Sequence, residues 1–314
     1  MRLKIGLAFF LQFTMSSLLP AAVANAESVT ATYLYSLSDF NGVMPYSGAR
    51  TFADEARGEV YVVAGGGVDI FNSSGMLIYH FDYDRELGGV YDAAVDEQGR
   101  ILLLSHKENE YRIVQCNYRG EPQRSFPLRN LPPEFEAFRP GRMVYRAGEV
   151  YLADQGGMYV AILDPEGRFL RGYDIATLYQ FNDRQRMENG IEGFMVDNNR
   201  NMLFVVGALG RAVIQSPDGT IKEYGKRGSG AGKFGVPGGI AEDRFGNILV
   251  TDKLRGVIMI FSKDFQFLRE FGFRGTRPSN VIVPNEITVD TAAGRVYVSQ
   301  MRRRGVNIYQ LTYQ

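Results

Sequence analysis

Apolar and polar positions in residues 233–272 fall into four short apolar runs separated by turn residues. Gly239-Ile240-Ala241-Glu242-Asp243 leads into Arg244-Phe245-Gly246-Asn247, where an Asp and a Gly bracket a tight turn. Ile248-Leu249-Val250 reads as the returning strand, Val257 to Phe261 as the third and Phe267 to Phe271 as the fourth, with Ser262-Lys263-Asp264 turning between the last two. Four antiparallel strands in about forty residues are the unit of a radial sheet assembly, one propeller blade.

The unit recurs. Its first-strand marker is Asp54, Asp96, Asp197, Asp243 and Asp290, with Arg146 in the equivalent place between Asp96 and Asp197, at intervals of 42 to 51 residues. Each marker precedes an aliphatic strand, such as Val60-Tyr61-Val62-Val63, Ile101 to Leu104 or Val296-Tyr297-Val298. Later turns repeat too: Asn72 to Gly75, Asp164 to Gly167 and Ser216 to Gly219 join third to fourth strands. Six markers predict an all-β, six-bladed β-propeller of four-stranded antiparallel blades. The sixth unit ends near Tyr309 with no outer strand of its own, whereas the β-rich run Thr30 to Leu37 precedes the first blade. The N-terminal run is therefore expected to complete the last blade and close the ring.

In this topology the loops between second and third strands share one face with the loops passing from blade to blade. That loop face should carry the long segments 81–89, 106–110, 127–139, 174–190, 225–235 and 272–281, and the segment 174–190 is expected to hold a short helix capping the channel.

The fifth unit also resembles the NHL-repeat family, through Pro237, Gly239, Ile240, Asp243, Gly246, Asn247, Asp252, Phe261 and Phe271-Gly272. It departs where that family has an Asn-His-Arg-Ile run, since this chain has Lys253-Leu254-Arg255-Gly256. The resemblance implies a propeller of exported bacterial type and specifies a scaffold more than a ligand.

Residues 1–26 combine Arg2 and Lys4, an apolar run from Ile5 to Leu19, and Ala24-Asn25-Ala26. This reads as a signal peptide cleaved after Ala26, which leaves residues 27–314 as one domain, periplasmic or secreted, without a membrane anchor and monomeric. Lys and Arg number 35, as do Asp and Glu, so the total charge favours neither nucleic acid nor an anionic membrane. The single cysteine, Cys116, aligns with apolar third-strand residues and reads as a buried, inert thiol.

Counting four residues back from each marker gives positions entering the channel: Arg50, Asp92, Arg142, Gly193, Gly239 and Glu286, preceded by Glu192 and Asn285. Second-strand ends add Ser105, Asp154, Asp252 and Gln300. A mixed ring of this kind satisfies itself by Arg–carboxylate pairing or forms a ligand site at the channel mouth. Glu192, Asn285, Glu286, Asp154 and Asp252 have the oxygen chemistry of calcium, as in lactonase-like hydrolases of related shape. A zinc lyase is the weaker alternative, with His80 and His106 alone to offer. No Gly-x-Ser-x-Gly elbow, His-Glu-x-x-His or phosphate loop is present.

The favoured reading is a binding scaffold without a cofactor, acting on an exported protein partner through its loop face. Charge there is lopsided: Lys226, Arg227, Lys233, Arg255, Arg274, Arg277, Arg302, Arg303 and Arg304 lie on the later blades, and the earlier loops carry net negative charge. Docking is expected across the fifth and sixth blades, with calcium-dependent hydrolysis in the channel as the alternative.

Overall fold

The computed structural model describes residues 28–82 and 87–314. The proposed leader and residues 83–86 lie outside these. Among the described residues, six four-stranded antiparallel sheets follow one another around a ring. From inner to outer strand, the first blade is Arg50–Asp54, Glu59–Ala64, Gly67–Phe71 and Leu77–Phe81. The fifth is Pro237–Glu242, Ile248–Asp252, Val257–Phe261 and Phe267–Phe271. The sixth joins Pro284–Asp290, Arg295–Gln300 and Val306–Tyr313 to Val29–Ser36, which pairs antiparallel from Val29 opposite Tyr313 to Ser36 opposite Asn307. The ring is thus closed by a strand from the other end of the chain.

The apolar core is divided into six clusters, one in each seam between neighbouring blades. The cause is the period of two along a strand. Val60 and Val62 of the first blade face the seam with the sixth, and Tyr61 and Val63 face the seam with the second. Ile101 and Leu103 likewise turn to the first blade, Leu102 and Leu104 to the third. Middle strands are covered on both faces, which is why they read as unbroken apolar runs rather than alternating ones.

The marker aspartates make the turns that return each inner strand. Asp243 accepts from the amides of Phe245 and Asn247 at 2.8 and 2.9 Å and from the Asn247 side chain, and Asp96 and Asp197 do the same in their blades. Arg146 needs no such carboxylate, because Ala147 and Gly148 (φ 49° and 78°) form a two-residue left-handed turn that closes the hairpin unaided.

Two expectations about loops are corrected. Residues 106–110 are not an irregular loop: the strands Ile101–Lys107 and Glu110–Cys116 run on to a tight turn at Glu108 and Asn109, both left-handed. The segment 174–190 holds two helices, Ile175–Leu178 and Asp183–Asn189, which sit on the seam between the third and fourth blades. Ile175 and Ala176 are buried there, and Arg186 is tied to Asp174 and to the Gly157 carbonyl.

Candidate functional site

The ring positions converge where the inner strands enter the channel. Arg142 of the third blade donates to Glu286 of the sixth, directly across the axis in a ring of six. Asp92 of the second blade accepts from the Met143 amide at 2.8 Å and from Ala93 at 3.0 Å. Arg50 of the first blade reaches Gln155 at 3.3 Å. Burial, and then the neighbouring Arg142, lower the Arg50 pKa, whereas burial raises that of Asp92 even though both guanidiniums oppose the shift. The fourth and fifth blades put glycines into the ring: a Cβ on Gly193 would stand 2.7 Å from the Gly238 carbonyl, and one on Gly239 would stand 2.8 Å from the Ile287 amide. Four charged groups therefore fill the centre. Two of their donors, Arg50 Nη1 and Arg142 Nε, are buried without an acceptor among the described residues.

On the loop-face side of this plug, Glu192 is paired with Lys253, and Asn285 donates to Glu286 at 3.4 Å. The second-strand ends do something else. Asp252 is fully buried and accepts from the amides of Gly235, Val236, Leu254 and Arg255 at 2.6 to 3.2 Å. Asp154 accepts from the Arg139 and Gly157 amides, Gln300 from Ile282, and Ser105 donates to the Leu87 carbonyl. In these four blades a residue at or near the end of the second strand latches down the loop that leads into its own inner strand.

These commitments remove the calcium set suggested by the sequence. Two of its carboxylates face cations and two are consumed by backbone amides, and among the described residues no three His, Cys, Asp or Glu side chains are grouped to hold a metal. The donors present do not fit calcium. His80 is paired with Asp69 on the outer edge of the first blade, and His106 packs 4.5 Å from the Tyr111 ring, so neither is near a zinc site. Cys116 is buried in the seam between the first and second blades.

Beyond the plug the channel widens. A cavity of about 690 Å³ extends from Asp92, Arg142 and Glu286 to the exposed turns that follow the inner strands. It opens on the face opposite the long loops. Its walls include Glu242 and the third-blade marker Arg146, neither of which was among the site candidates from the sequence. A signal was available, since the repeat aligns Glu242 with Ala53, Val95, Tyr145, Val196 and Val289.

The loop face has a different character. Lys226, Arg227, Lys233, Arg274, Arg277, Arg302 and Arg303 are exposed, Arg304 is half-buried, and none enters an ion pair among the described residues. They adjoin one another: Arg304 donates to the Arg277 carbonyl, Arg274 packs on Gly256, and Arg255 donates to the Lys233 carbonyl. Arg255 itself is withdrawn from solvent, held to both oxygens of Glu270 at 2.9 and 2.7 Å. The segments 225–236, 272–283 and 301–305 contain no carboxylate. Part of the acidic charge expected on the earlier loops, at Asp84 and Glu86, lies outside the described residues.

No family model matches the chain. Over 111 residues, 33% of this chain, it is 29% identical to the brain tumor protein of Drosophila melanogaster, of whose length it spans 11%. Among solved structures it is similar to a catalytically inactive virginiamycin B lyase from Staphylococcus aureus crystallised with quinupristin, at 15% identity and TM-score 0.56, over 87% of this chain and 84% of the lyase. A luciferin-regenerating enzyme is similar at 13% identity and TM-score 0.58, over 91% of this chain and 95% of the enzyme. These structures share the six-bladed propeller with the chain, and at such identities the likeness extends to the fold alone.

Proposed function

We propose that the chain is an exported NHL-type propeller that acts as a non-catalytic binding module, docking an acidic protein partner on the loop face of its fourth to sixth blades. The observation that carries this reading is the acid-free arc of eight basic side chains without ion-pair partners. Val236, Leu254, Phe273 and Met301 are exposed among them, Leu254 by 61% and Phe273 by 53%. Apolar anchors inside a charged surround are the composition of a docking surface, where the anchors supply affinity and the charge supplies orientation and encounter rate. Arg302 and Arg303 are both held left-handed (φ 58° and 59°) by a turn fixed from Gln300 to Gly305 and from Gly305 to Tyr46, so the backbone presents them without a search.

The alternative, a calcium-dependent lactonase-like hydrolase, lacks support from the donor set, because its carboxylates already have partners. Affinity capture from the exported fraction, run in parallel with wild type and the R302S/R303S/R304S variant, tests the proposal. An acidic protein retained by wild type and depleted from the variant is expected. Retention of the same proteins by both would remove the arc as the docking surface.

A further inference from the structure

The polarity of the loop face is reversed at the other end of the channel. Nine carboxylates and three guanidiniums line the turn-face cavity. Arg57 and Arg100 lie against Asp54 and Asp96, and Arg142 against Glu286, which leaves the cavity acidic. The total charge of zero therefore conceals an axial separation, basic at one mouth and acidic at the other.

Within the cavity Glu242 is partly buried, and its carboxylate has no hydrogen-bond or ion-pair partner among the described residues. Asp243 follows it at the start of the turn, Asp197 faces it from the fourth blade and Arg146 from the third, while the sixth blade offers that wall Thr288, Val289 and Thr291, which carry no charge. Arg146 is already engaged, donating to the Val196 carbonyl and to Asn198, both at 3.1 Å. At the floor stands an independent feature. Arg142 is only 7% exposed, and its Nε–H finds no acceptor among the described residues. A buried donor without a partner is costly, and a ligand oxygen can satisfy it. In the aligned repeats Glu242 stands three residues further along the inner strand than the Arg142 position, which at ~3.3 Å per residue separates the two by about 10 Å along the axis.

We propose that this cavity binds a small organic cation: a primary amine whose ammonium group pairs with Glu242 and whose hydroxyl or carbonyl oxygen accepts from Arg142 Nε. The volume is in the range of small-molecule sites. The orientation follows from the two ends. A full anion at the floor is unneeded because Arg50 and Arg142 are balanced there by Asp92 and Glu286, whereas the mouth has carboxylates in excess. The site is separated from the loop face by the Arg142–Glu286 plug, so it is independent of the protein-docking surface.

Burial, with Asp197 and Asp243 nearby, raises the Glu242 pKa to about 7. A bound ammonium requires the ionised carboxylate, so affinity should rise from pH 6 to pH 8, with proton release on binding below pH 7.

Calorimetric titration of the mature protein with ethanolamine and 6-aminohexanamide, each against its neutral counterpart (ethylene glycol, hexanamide), tests the proposal. At least one amine should bind with one-to-one stoichiometry and at least ~10-fold more tightly than its counterpart, and Glu242→Gln should abolish that preference. R302S/R303S/R304S should bind the amine unchanged. Should Glu242→Gln fail to fold, the pH profile of wild type decides. No amine binding, equal binding of amine and counterpart, or an affinity flat from pH 6 to pH 8 would overturn the assignment.

Discussion

Arg142 and Glu286 meet across the channel axis from opposite blades, and with Asp92 and Arg50 they close the ring's centre. A strut between the third and sixth blades ties halves of the ring that have no seam in common.

Both members are largely buried, with side-chain exposures of 8% and 13%. Removing one partner should therefore cost more than removing both. Glu286→Gln is expected to destabilise by ~3 kcal/mol or more, by leaving a buried guanidinium without its carboxylate, while R142M/E286L should recover most of that loss. Urea denaturation midpoints of the three proteins check this, and equal costs for the single and double variants would count against the strut.

Asp252 supplies four backbone amides with their acceptor. Charge-assisted bonds of this kind contribute ~1.5–3 kcal/mol each, so Asp252→Ala should lower stability by several kcal/mol and loosen the 225–236 loop. Calcium should not raise the melting temperature of wild type, nor chelator lower it. A calcium-dependent shift abolished by Asp252→Asn would restore the hydrolase reading.

Ring closure rests on residues from both chain ends. Val29 and Leu37 are buried, at 3% and 0% exposure, and each fully buried aliphatic side chain contributes ~1.5–3 kcal/mol. Deleting residues 28–37 should expose the edge of Val306–Tyr313, lower the unfolding midpoint and promote aggregation. An unchanged, equally cooperative transition would mean that the strand is dispensable.

The Glu242 carboxyl sets a sign for stability against pH. Its folded pKa, about 7, lies above the 4.5 of an ordinary glutamate. Below the lower value both states are protonated and its contribution is fully present. As pH rises from there through 7 the unfolded state ionises first, and stability is lost. Glu242→Gln should therefore match wild type near pH 4.5 and melt higher at pH 8. Identical melting temperatures at pH 8 would show that Glu242 is not desolvated.

The propeller was legible because each blade repeats the same local chemistry: an Asp-anchored turn, an aliphatic second strand and a Gly-containing outer turn. The closing strand was legible because the sixth unit lacked a fourth strand. The site was less so. Counting back from the markers located Arg50, Asp92, Arg142 and Glu286, but spacing says nothing about which way a side chain is drawn, and Asp154 and Asp252 turned out to hold backbone amides. The cavity has no sequence signature for a related reason. It is made mostly of inner-strand segments in their ordinary roles, and a space between six strands has no linear motif. Arg255 shows the limit of counting charge, since Glu270 comes back beside it from the adjoining outer strand.

Docking of an acidic partner on the basic arc is tested by the association rate measured against ionic strength. With a partner retained by affinity capture, the wild-type rate should fall at least ~10-fold as the screening length drops from ~30 Å to below ~10 Å. R302S/R303S/R304S should associate slowly at every salt concentration, with its melting temperature nearly unchanged. A wild-type rate that does not vary with salt, or a triple variant that binds as fast as wild type, would contradict it.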